Sequence, residues 1–109
     1  MSSPVDGDRE ALRALEAYAA AALGTGGTEL PAAVRAGRQL VGLVPLRETG
    51  YQVLMQAIAA QGNVAEALRV YNDLCEVLRD ELGVSPSASS QAVYNRLLRG
   101  EAPPIADRP

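Results

Sequence analysis

The feature that most constrains this chain is a self-similarity at a fixed offset. The stretch "AAVRAGRQLVGLV" (32–44) aligns with "EALRVYNDLCEVL" (66–78). Ala33 falls on Ala67, Val34 on Leu68, Arg35 on Arg69, Leu40 on Leu74, Leu43 on Val77 and Val44 on Leu78, each 34 residues apart. The same offset places Leu12 on Leu46, Arg13 on Arg47 and Ala20 on Leu54, a weaker match. Such recurrence marks one supersecondary unit used twice. A single unit cannot bury its apolar face alone, so copies stack to make a core.

Apolar spacing says what the unit is. Leu12, Leu15, Ala19 and Ala22 recur at three- and four-residue steps, which predicts a first helix over about Asp8–Leu23. "GTGGT" (24–28) breaks it, with Thr28 placed to cap a second helix over about Glu29–Leu43 and Pro31 in its first turn. Pro45 ends that helix, and a third is expected over Leu46–Ala60. Asn63-x-x-Glu66 has the form of a capping box before a fourth helix, Val64–Leu82, which Gly83 and Pro86 stop. A fifth is expected over Ser89–Arg99. Residues 1–7 read as a disordered lead-in, 8–100 as the domain and 101–109 as a flexible tail. No segment reads as a strand. Two helices per 34 residues is the tetratricopeptide period. The expected fold is therefore all-α, a tetratricopeptide-like helical repeat of two antiparallel helix pairs plus a C-terminal capping helix.

Composition removes several classes of function. The chain has no His, so His-based triads and the commonest metal sites are excluded. Its single Cys, Cys75, allows no internal disulfide and sits on the apolar face of the fourth helix as an inert thiol. "GTGGTE" (24–29) lacks the preceding strand and following Lys of a phosphate loop, so it reads as a connecting turn. No enzymatic activity and no cofactor or metal is expected. No apolar run approaches a membrane span and no secretory leader is visible, so a cytoplasmic location is expected.

A longer pattern carries more information. Pro45-Leu46-Arg47-Glu48 is followed by Gly62, then Glu66-Ala67-Leu68 with Tyr71, then Glu81-Leu82-Gly83-Val84 with Pro86. In this order and spacing, residues 44–86 resemble the bacterial transcriptional activator domain, the helical-repeat part of antibiotic-regulatory activator proteins. The resemblance extends over roughly residues 10–100. Val44 stands where that family usually has an acidic residue, and Gly37 where it has a larger core residue. The resemblance implies a regulatory and protein-interaction or oligomerisation role in a bacterial transcriptional regulator. Such regulators usually carry a winged-helix DNA-binding domain, and this chain shows none. A helical-repeat adaptor or scaffold unrelated to transcription is the alternative.

Two surfaces are candidates for partners, which are expected to be protein: this chain itself or another regulator domain. On the third helix, Arg47, Tyr51, Gln52, Met55 and Gln56 lie off the core stripe. Tyr and Met at i, i+4 suit a groove that seats a peptide or helix, the competing reading being that both pack against the first or fifth helix. On the first helix, Ala17, Tyr18 and Ala21 extend the apolar surface to a second side, as a homodimer contact would require.

Charge yields the first test. Ten Arg stand against thirteen carboxylates, a net charge of −3. Phosphate contacts supply most of the affinity of a DNA binder, so this chain alone should not retain DNA at physiological salt. A gel-shift complex surviving competitor DNA would contradict that.

Overall fold

A computed structural model of the chain describes residues 4–100. Among these the regular structure is all helical: α1 (Pro4–Thr25), a 3-10 turn (Gly27–Glu29), α2 (Leu30–Leu43), α3 (Glu48–Ala60), α4 (Val64–Leu82) and α5 (Ala88–Leu98). Successive helices pack on one another, and α3 touches all four others. Contacts of α3 with both α1 and α5 set those three helices side by side along one face, as a stacked pair array requires.

Several boundaries differ from expectation, each for a local reason. Helix α1 begins at Pro4, so residues 4–7 join the helix where a lead-in was expected. The expected tail at 101–109 lies outside the described residues, as do residues 1–3. Thr28 does not cap α2. It is held inside the 3-10 turn, and Glu29 occupies the cap position without a side-chain hydrogen bond. Helix α3 starts at Glu48, because Pro45 and Leu46 form a turn closed by the Arg47 N–H on the Val44 carbonyl at 2.9 Å. Leu46 is consequently 41% exposed.

Half of the expected capping box forms. Asn63 accepts from the Glu66 N–H at 3.2 Å. The returning bond cannot form, because the Asn63 N–H already reaches back to the Ile58 carbonyl at 3.1 Å. With the Gly62 N–H on the Ala59 carbonyl, that closes α3 by a Schellman motif with Gly62 at φ 92°. Helix α4 ends at Gly83, φ 68°, as its sequence demands.

The α2–α3 crossing is the tightest contact of the fold. A Cβ at Gly50 would lie 2.7 Å from Leu40 Cβ and 3.1 Å from the Val41 nitrogen; one at Gly37 would lie 3.1 Å from Leu54 Cβ. Ala33 and Ala57, both fully buried, continue this seam. The 34-residue register holds between α2 and α4: Ala33 and Ala67 are both 0% exposed, Leu40 and Leu74 1% and 0%. It does not hold between α1 and α3. There the buried pattern Ala19, Ala22, Leu23 matches Met55, Ile58 and Ala59, two residues further on. The difference is taken up at the α1–α2 connection: in this register α1 runs one residue further than α3, and the turn after it (26–29) is one residue longer than the Gln61–Asn63 turn between α3 and α4.

The seam predicts opposite effects for two glycines. Gly50→Ala should destabilise the domain by about 1–3 kcal/mol, because backbone and not a flexible side chain opposes the new methyl. Gly42→Ala, which meets nothing within 4 Å, should be neutral or stabilising by up to about 1 kcal/mol through helix propensity. Urea midpoints of the two variants check both signs.

Candidate functional site

Helices α1 and α3 enclose a groove of about 460 Å³. Glu16, Ala17, Ala20 and Leu23 form one wall, Thr49, Gln52, Val53 and Gln56 the other. The floor is apolar because Leu23 and Val53 pack against the Ala-rich cluster shared with α2. The rim is polar. Thr49 Oγ1 donates to Glu16 Oε2 at 2.5 Å, and Arg47 grips the same carboxylate through Nε at 2.8 Å and Nη2 at 3.2 Å. A two-pronged guanidinium–carboxylate pair fixes orientation as well as distance.

The five residues expected on a partner-facing surface of α3 divide. Gln52 and Gln56 line the groove, with Gln52 Nε2 donating to Ser90 Oγ at 2.8 Å and Gln56 Nε2 to the Gln52 carbonyl at 3.1 Å. Both side-chain carbonyls carry no hydrogen bond from these partners. Arg47 stands at the groove's end, bound to Glu16. Tyr51 and Met55 are in the core, 4% and 0% exposed, and cannot meet a partner. Their i, i+4 spacing is a core spacing. Tyr51 fills the space beneath the Pro45 turn, and its hydroxyl donates to the Pro45 carbonyl at 3.0 Å. Burial, with a smaller contribution from Asp73, raises its pKa. Of the three α1 residues, Ala17 lines the groove, whereas Tyr18 and Ala21 border a separate depression beside Thr25 and Glu29.

One group central to the site carried no signal in the helical pattern. Glu48, at the first position of α3, reaches the start of α5. Its carboxylate accepts from the Ser87 N–H at 3.0 Å, Ser87 Oγ at 3.0 Å and Ser90 Oγ at 2.6 Å. Ser87 caps α5 by accepting from the Ser90 N–H at 3.4 Å. An anion here also suits the positive end of the α5 dipole. Desolvation pushes the Glu48 pKa up, but the hydrogen bonds from Ser90 and Ser87 outweigh it and hold it below its ordinary value. Ser90, fully buried, joins Glu48 to Gln52 and so links the α5 cap to the groove wall. Its two partners lie a helical turn apart on α3, a fact that only folding shows.

Among the described residues no group of three His, Cys, Asp or Glu side chains could hold a metal ion, and no helix is long and apolar enough to cross a membrane.

The architecture defines an all-α array of paired helices. The chain belongs to the bacterial transcriptional activator domain family, whose family model matches residues 5–98. It is similar to the regulatory protein AfsR of Streptomyces coelicolor, 43% identical over 63 residues, and to the regulatory protein AfsR of Streptomyces griseus, 42% identical over 57 residues. These matches cover 58% and 52% of this chain, but 6% of each relative. No solved structure matches the chain.

The Glu48 network sets a pH dependence. A carboxylate with a lowered folded pKa contributes stability in full above its ordinary value of 4.5, and loses it as pH falls below that value. Glu48→Gln should cost about 1 kcal/mol at pH 7 through the weakened cap and flatten the loss of stability between about pH 5 and 3. Urea titrations of both proteins across that range measure the difference. Parallel pH profiles would remove Glu48 from the account.

Proposed function

We propose that this domain is a non-catalytic interaction module of a bacterial transcriptional regulator, acting in the cytoplasm, and that the α1–α3 groove seats a segment of its protein partner. Family membership supports the regulatory role. The groove carries the interaction reading. It has an apolar floor, a rim fixed by the Arg47–Glu16 pair, and two amide side chains, Gln52 and Gln56, held at one end with their carbonyls left to accept from a bound backbone or side chain. A few placed polar groups over an apolar base are what a recognition groove needs. DNA readout is left to another part of the regulator.

A titration tests this. The isotope-labelled domain would be mixed with the DNA-binding part of an AfsR-type regulator from the same genome, and backbone resonances followed by NMR. Shifts should concentrate at Thr49, Gln52 and Gln56. Ala20→Glu, which fills the groove from an exposed helix position, should weaken binding tenfold or more, about 1.4 kcal/mol. Binding unaffected by Ala20→Glu, or shifts confined to other faces, would move the partner elsewhere.

A further inference from the structure

A hydroxyl has one proton to give, and at Ser90 the neighbours decide where it goes. Ser90 Oγ stands between Glu48 Oε1 at 2.6 Å and the end of the Gln52 side chain at 2.8 Å. Ser90 is fully buried, so water does not compete for either contact. Glu48 is ionised at neutral pH, its pKa being lowered, and a carboxylate can only accept. The Ser90 proton therefore belongs to Glu48, and only lone pairs face Gln52. The Gln52 atom at that contact has to be a donor, its Nε2. The amide oxygen is left at the other branch of a side chain that also lines the α1–α3 groove.

The same pattern repeats along this wall. Thr49 commits its hydroxyl proton to Glu16, and Gln56 commits an Nε2 proton to the Gln52 backbone carbonyl at 3.1 Å. Thr49, Gln52 and Gln56 follow one another at three- and four-residue steps, so they share a face of α3. On each, a donor has been taken inside the domain and lone pairs remain. Each amide keeps a second N–H, so the wall is rich in acceptors without being devoid of donors. The Glu16 carboxylate on the opposite wall adds to the excess.

We propose that Glu48 and Ser90 are positioning residues for this groove: they hold the Gln52 amide nitrogen toward α5, so that its oxygen is what the groove offers, and a protein segment seated there has to bring an N–H donor. The selection of the partner rests on the groove being the partner's seat, as proposed above. The orientation of Gln52 does not.

Hydrogen exchange of side-chain amides, followed by NMR, tests the orientation in the isolated domain. One Nε2 proton of Gln52 should exchange at least tenfold more slowly than those of Gln39, which is exposed on α2. Glu48→Ala strips the acceptor from Ser90, frees its proton for the Gln52 oxygen, and should bring exchange to the Gln39 rate. Glu48→Gln should keep it slow, because the Ser87 N–H, 3.0 Å from Oε1, holds the oxygen of the new amide where Ser90 needs an acceptor. Ser87→Ala removes the α5 cap without touching the Ser90–Gln52 bond, and should also keep it slow. Slow exchange that survives Glu48→Ala, or that Ser87→Ala abolishes equally, overturns the proposal. The same regulator part used above then tests the selection. On binding, the Gln52 Cδ resonance should move downfield, as a carbonyl carbon does when its oxygen gains a donor. Glu48→Ala should raise the Kd threefold or more, and Glu48→Gln should bind as the native domain does. Binding in the groove with Gln52 Cδ unmoved overturns the donor requirement. No binding in the groove, with exchange at Gln52 slow, defeats the groove as the partner's seat and the selection with it, and leaves the orientation of Gln52 established.

Discussion

The contact between Gly37 and Gly50 governs the arrangement of this domain. Two helices can cross this closely only where neither carries a Cβ, and a methyl at Gly50 would have nowhere to go. The crossing fixes α3 against α2, and α3 is the helix that every other one touches. Its placement sets both the width of the groove toward α1 and the depth at which Tyr51, Met55 and Ile58 enter the cluster with α4. The first pair is built mostly from alanine: Ala19, Ala22, Ala32, Ala33 and Ala36 are buried there, with Leu23, Leu30 and Leu40. Such small side chains bury little area each, at about 25 cal/mol per Å². They stabilise only if the backbones come close. The second pair holds the larger side chains, among them Tyr51, Met55, Ile58, Tyr71, Leu74 and Leu78.

Polar contacts repeat along the other face. Glu16 of α1 meets the Thr49 hydroxyl near the start of α3, and Gln52 of α3 meets the Ser90 hydroxyl near the start of α5. In both places a long polar side chain of one helix reaches a hydroxyl in the first turn of the next. These bonds align α1 and α5 against α3, the helix that α1 faces across the groove. They are worth about 1 kcal/mol each at most in a half-exposed setting, so they set register more than stability. Glu48 adds a charge to the second contact, which ties the cap of α5 to the protonation of one carboxylate.

Much of this was legible in the sequence. The five helices, the stop at Gly83 and the equivalence of Ala33 with Ala67 follow from periodicity and punctuation, which are local. What failed was decided by contacts between distant residues. The offset of 34 was carried over to the first helices, where a longer end of α1 and a longer turn after Thr25 together shift the register by two. Val64 and Leu82 lie on the apolar stripe of α4, yet are 40% and 56% exposed, because the stripe outruns its neighbours at both ends. Tyr51 and Met55 were read as surface because the pattern of α3 was drawn for one buried side. A helix that touches four others has more than one. Glu48 bonds across 39 and 42 residues to Ser87 and Ser90, a pairing with no period to reveal it.

The internal repeat also explains how one seam accommodates very different residues. Gly37 in α2 and Tyr71 in α4 occupy the same position of the 34-residue register. Their partners, Leu54 and Tyr94, occupy the same position of the receiving seam. In the first pair glycine lets the backbones close on Leu54. In the second, Tyr71 holds the helices apart by the thickness of a ring and fills the space with a stacked aromatic pair, interplanar angle 14°. Gly37 is matched in this way by Leu54 and by the second glycine at position 50. Either seam would fail if it received the other's helix: Tyr71 would collide with the α3 backbone at Gly50, and Gly37 would leave a void under Tyr94. The order of the helices is therefore written into the sizes of these four side chains.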